Sequence, residues 1–193
     1  MSPSESPPPP PEGEHPRRRA WWGPPAGVVP GVVPVELLMA RTAERAIGLT
    51  GIRAYPNGFA FTLSVRLRQA IPGEQTRFGM FGDHVDPSGE FAAYYLRLGV
   101  QFADGCTATN LQRHHRGFQA GGPEPPLLTG TGGGGHDGRV WDNHYWVWGL
   151  PPPGPLVFVC EWPARGIGQS RMQADARLVL EAAERAVPIW PED

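Results

Sequence analysis

The sequence predicts a mainly β protein: an antiparallel β-sandwich of about seven strands, a C-terminal amphipathic helix over about residues 170–187, and a disordered, Pro-rich N-terminal tail. Three observations carry this. Phe59, Phe61, Leu63, Val65 and Leu67 alternate strictly with Ala60, Thr62, Ser64, Arg66 and Arg68, the period-2 pattern of a half-buried strand. Further apolar runs recur between turn signals at sandwich spacing. Near its end the chain changes to a helical period.

Taken in order, residues 1–19 hold seven prolines, five of them consecutive from Pro7 to Pro11, and too few apolar groups to offset their ordering entropy. They read as a solubilising, partly polyproline II tail. Residues 20–193 are one domain's worth of chain. Trp21-Trp22 is expected to pin the end of the tail to that domain. Val33 to Arg41 is the first strand. Ile47, Leu49 and Ile52 begin a second, which turns through Tyr55-Pro56-Asn57-Gly58 into the Phe59 run and makes a hairpin. Tyr94, Leu96, Leu98, Val100 and Phe102 line one face of another strand, Asp104-Gly105 turns it, and Thr107 to Leu111 returns.

Gln112 to Gly138 is rich in glycine and proline and reads as a long loop, 112–138. Val140 to Gly149 and Leu156 to Trp162 are aromatic-rich runs joined by Pro151-Pro152-Pro153-Gly154-Pro155. Both carry large apolar groups on both parities, as central strands covered on two sides do. Ser170-Arg171-Met172-Gln173 matches a capping box, and Met172, Ala176, Val179, Leu180, Ala183 and Val187 follow at helical spacing. Arg177, Glu181 and Arg185 pair at i,i+4 on the opposite side, Pro188 stops the helix, and Trp190 closes its contact with a sheet.

Composition excludes several kinds of chemistry. All seventeen basic residues are arginine, so no Schiff base, P-loop lysine or Ser-Lys dyad exists here. Net charge is −2, and Arg17-Arg18-Arg19 is offset by Glu5, Glu12 and Glu14, which leaves no basic stripe for nucleic acid. The most continuous apolar stretch, Ala26 to Ala40, is broken by Pro30, Pro34 and Glu36, so no membrane span is expected. The N-terminus lacks a basic segment followed by an apolar one, so a secretory signal is not expected and a cytoplasmic setting is. Two cysteines, Cys106 and Cys160, suit that setting as free thiols.

Leu98-Gly99-Val100-Gln101-Phe102-Ala103-Asp104-Gly105, the glycine run, and Leu150-Pro151-Pro152-Pro153-Gly154-Pro155-Leu156 through Cys160-Glu161-Trp162-Pro163 resemble a group of uncharacterised proteins from high-GC actinobacteria. The resemblance covers most of the chain after Ala20. It implies a bacterial cytoplasmic setting and brings no functional residues with it.

Candidate chemistry is sparse. Gly130-Thr131-Gly132-Gly133-Gly134-Gly135 fits G-x-G-x-x-G, but a strand rather than a helix follows it, so it reads as loop. Ser170 sits in no nucleophile elbow. Trp146 and Trp148 share a strand face with His144 and Asp142, while Tyr145 and Val147 take the other, so one face offers an aromatic platform. The leading expectation is therefore a non-catalytic binding or scaffold module that meets a protein partner through the aromatic strands, with Tyr145, Trp146, Trp148 and Trp162 as contacts, or through the 112–138 loop. It needs no cofactor.

Two alternatives remain. His84-Val85-Asp86 with His136 or His144 supplies two histidines and a carboxylate, the ligand set of a non-haem iron site, and would hold Fe(II) or Zn(II). A stacking platform on Trp146 and Trp148 would instead bind carbohydrate. Glu161, in parity with Val157 and Val159, is either a general acid of raised pKa or the partner of an arginine.

Overall fold

The computed structural model describes residues 20–70, 95–111 and 123–190. Among the described residues the strands are β1 (Val28–Val29), β2 (Gly31–Val32), β3 (Leu37–Arg41), β4 (Arg45–Tyr55), β5 (Gly58–Leu67), β6 (Arg97–Gln101), β7 (Thr107–Thr109), β8 (Leu127–His136), β9 (Val140–Trp148), β10 (Pro155–Trp162), β11 (Ile167–Asp175) and β12 (Val187–Pro188). One helix, α1 (Ala176–Glu184), lies between the last two. All seven expected strands have counterparts, β3 to β7 with β9 and β10. The additions are three two-residue strands, β1, β2 and β12, together with β8 and β11.

Every strand pairing is antiparallel. The larger sheet runs β2-β4-β5-β9-β8, with β3 beside β4 in line with β2; a smaller one runs β11-β10-β6-β7, and β1 and β12 form a two-stranded ribbon. Phe59 and Phe61 of the first sheet meet Phe158 of the second edge-to-face, at centroid distances of 6.4 and 5.5 Å. All three rings are buried, and that contact makes the layers sandwich-like, with the alternating residues of β5 supplying the core-facing side. At one side the Ser170 hydroxyl donates to the Met39 carbonyl, tying β11 to β3. Although β9 and β10 are joined directly by the proline segment, they belong to opposite sheets, each with a neighbour on both edges.

Two expectations are corrected. Ser170 does not cap a helix: residues 167–175 continue as β11, with Ser170 opposite Cys160 and Met172 opposite Phe158. The cap is Asp175, whose carboxylate accepts from the Arg177 N–H at 2.9 Å. Met172 and Ala176 are four apart, a spacing shared by a strand face and a helix face, so periodicity alone placed the start one turn or more too early. Arg177 pairs with Asp175 at 3.3 Å rather than with Glu181, and Arg185 reaches the Glu181 carbonyl. The helix ends at Glu184; Val187 and Pro188 pair with β1, and Trp190 is 74% exposed instead of closing the helix contact. Ala176, Val179, Ala182 and Ala183 form the buried stripe. It sits so close to β2 that a Cβ on Gly31 would lie 1.9 Å from the Ala182 carbonyl oxygen.

The second correction concerns the 112–138 loop. Leu127 to His136 is an edge strand, paired with β9 along its length; residues 112–122 lie outside the described ones. Glycine is poor in strands because it has no side chain to pack, but here that absence is required. A Cβ at Gly133 would come within 2.5 Å of the Asp142 carbonyl oxygen, and one at Gly135 within 2.5 Å of the Trp141 indole.

Candidate functional site

The outer face of the larger sheet carries Ala60, Thr62 and Ser64 of β5 opposite Trp146, His144 and Asp142 of β9. Residues 20–23 cross this face as a strap. The Trp146 Nε1–H donates to the Ala20 carbonyl at 3.0 Å, Thr129 Oγ1 donates to the Trp21 carbonyl at 3.1 Å, and the Trp21 ring lies 5.8 Å from that of Trp148. Tyr55 abuts Trp146 edge-on at 5.5 Å. Trp146 is consequently fully buried.

Three of the four expected contact residues, Tyr145, Trp146 and Trp162, are buried, and Trp148 is half-buried. Tyr145 stacks on Phe61 in the core at 5.6 Å, and Trp162 is buried at the end of β10, with the Arg165 guanidinium 5.7 Å from its ring centre. Of the two rings of the expected stacking platform, Trp146 lies under the strap with no exposed surface, while Trp148 packs against Trp21 and stays partly exposed. Trp21 acts as the expected anchor, whereas Trp22 is exposed.

His84 and Asp86 lie outside the described residues. His136 ends β8 opposite Val140. His144 is exposed on the outer face, its Nδ1 3.0 Å from Thr62 Oγ1. Among the described residues, no three of His, Cys, Asp and Glu gather within reach of one ion. Ser64 shares this face with His144 and Asp142, but it is 2% exposed, which keeps substrate from its hydroxyl.

The smaller sheet presents a different surface. Its inner face holds Leu98, Val100, Phe158 and Cys160, all buried; its outer face is hollowed into a groove of about 370 Å³. Strand register explains the shape. Arg171, Val159, Gly99 and Thr109 stand side by side across β11, β10, β6 and β7. At the centre of that row Gly99 has no side chain, and a Cβ there would meet only ordinary contacts at 3.6 Å or more. The floor is thus Gly99 and Val159, the row's smallest and most apolar members.

The rim is polar. Glu161 and Arg97 are register partners, and the Arg97 guanidinium donates to the Glu161 carboxylate at 3.2 Å. Both side chains are partly exposed, at 37% for Arg97 and 30% for Glu161. Glu161 is thereby the paired carboxylate of the two sequence readings. Arg171 donates to Gln101 Oε1 at 2.8 Å, and Thr107 and Thr109 complete the far side. Sequence parity puts Glu161 on one strand face with Val157 and Val159 without saying which face is outward, and its partner lies 64 positions away in the chain and carries no local signal. Gly99 did carry one, as a lone glycine inside an alternating strand, the usual mark of a hollow or close approach.

Both cysteines are free, Cys160 buried and Cys106 exposed. Burial pushes the Cys160 thiol up to about 11. Among the described residues, no helix is long and apolar enough to cross a membrane. Comparison with protein-family models, curated proteins and solved structures gives no match.

Proposed function

We propose that the protein is a non-catalytic binding module of the cytoplasm, and that it holds a segment of a protein partner in the groove on the outer face of the smaller sheet. The observation that supports this reading most is the hollow at Gly99 and Val159, ringed by guanidinium, carboxylate, carboxamide and hydroxyl groups. An apolar floor with a few oriented polar groups around it is the usual composition of a recognition site. The aromatic strands contribute the rigid body behind it rather than the contact itself. No cofactor enters this reading.

Photo-cross-linking tests it without amine chemistry, which the lysine-free chain does not support. A benzophenone amino acid at Thr109, on the groove rim, is expected to capture a saturable partner, and Gly99→Leu, which fills the hollow, is expected to abolish capture. Equal capture from the same probe at Leu38, exposed on the other sheet, or capture unaffected by Gly99→Leu, overturns the reading.

A further inference from the structure

The groove's charges differ in how they are satisfied. Arg97 faces a carboxylate, Glu161. Arg171 is exposed, and its hydrogen bond within the groove is to the neutral carboxamide of Gln101. Gln169, Thr107 and Thr109 add no charge. Two arginines against one glutamate leave the lining at +1, in a chain whose net charge is −2. A guanidinium bonded to an amide exchanges that partner favourably for a carboxylate, because charge-assisted bonds are shorter and stronger than neutral ones. Arg171 is also the register neighbour of Val159, so the group that would hold the charge stands beside the apolar floor.

From this juxtaposition we infer that the groove selects a partner segment in which an acidic side chain sits next to an aliphatic one, the carboxylate on Arg171 and the aliphatic group over Gly99 and Val159. The inference rests on the groove being the binding surface. Gln101 then acts as the resident acceptor that the carboxylate displaces. Thr107 and Thr109 offer hydroxyls to the segment's backbone from the opposite rim. The Arg97–Glu161 pair sets the polarity, since Glu161 repels a second carboxylate and admits only one acidic side chain at the Arg171 end.

The test uses three peptides blocked at both ends, acetyl-Leu-Glu-Leu-amide, acetyl-Leu-Gln-Leu-amide and acetyl-Leu-Lys-Leu-amide, titrated into the full ¹⁵N-labelled chain and followed by amide shifts of Gly99, Val159 and Arg171. At low ionic strength the glutamate peptide is expected to bind about three- to fivefold more tightly than the glutamine peptide, the range of an exposed ion pair, and the lysine peptide more weakly than either. The preference is expected to vanish in Arg171→Gln and at high salt. The glutamine peptide should still bind Arg171→Gln, and Gly99→Leu should block all three.

Equal binding of the glutamate and glutamine peptides, or a glutamate preference that survives Arg171→Gln, overturns the acidic selectivity while leaving the groove as the binding surface. Absence of groove shifts with every peptide overturns both. Acetyl-Leu-Gln-Leu with a free C-terminal carboxylate binding as well as the glutamate peptide overturns the inference in favour of a chain terminus.

Discussion

The facing of the two sheets rests on Phe158, and its energetics test the architecture directly. Phe158 is fully buried and meets Phe59 and Phe61 edge-to-face across the interlayer gap. Phe158→Leu keeps an apolar side chain but removes the ring edge, so it is expected to cost about 2 kcal/mol, from the lost area and two aromatic contacts of about 0.5–1.5 kcal/mol each. The single cost does not prove contact; the coupling does. In a double-mutant cycle with Phe61→Leu, measured by urea denaturation, the two substitutions should fall short of additivity by about 0.5–1.5 kcal/mol. A cycle of Phe158→Leu with Tyr55→Leu should be additive within about 0.5 kcal/mol, because Tyr55 packs on Trp146 at the outer face. Additivity of the Phe61 and Phe158 changes would refute the packing of the sheets against each other, whatever each change costs alone.

Three further outcomes follow from particular groups. Gly31→Ala is expected to cost about 2–3 kcal/mol by lifting α1 off β2, whereas Gly168→Ala, with open space around it, should be close to neutral in the same melts. Asp175→Ala should lower stability by about 1 kcal/mol through loss of the helix cap, and Ser170→Ala should leave α1 intact by circular dichroism. The folded chain keeps the Cys160 proton up to about pH 11, while the unfolded chain releases it near the ordinary thiol value. That stabilisation is whole below about pH 8.5 and is lost as pH rises toward the folded value, to a total of about 3 kcal/mol. The stability gap between wild type and Cys160→Ala should shift by that amount in urea titrations at pH 8 and pH 11.

What the sequence makes legible is whatever a short window encodes. The alternation at Phe59–Arg68, the Pro56-Asn57 turn and the Asp104-Gly105 turn are local, and β4, β5, β6 and β7 stand where those signals put them. β8 was not legible because its glycines are chosen by their cross-strand neighbours: the carbonyl of Asp142 and the indole of Trp141 forbid side chains at Gly133 and Gly135, and both act across the β8–β9 hairpin, whose register the glycine run does not reveal. The start of α1 was obscured because Ser170, Met172 and Ala174 alternate as strand residues while Met172 and Ala176 also satisfy a helical spacing. Tryptophans can be counted in a sequence but not located; only the strap over Trp146 decides between platform and core. The groove depended on register across four strands, which no window of the sequence contains.

The strap lies on the far side of the domain from the groove: it carries Ala20 across the outer face of the larger sheet, while the Gly99 hollow opens on the outer face of the smaller one. The body between them is two stacked sheets, about 10 Å from one backbone layer to the next. Strap and groove therefore face opposite directions with the thickness of the sandwich between them, so a substitution that loosens the strap at Trp21 leaves the groove's lining untouched.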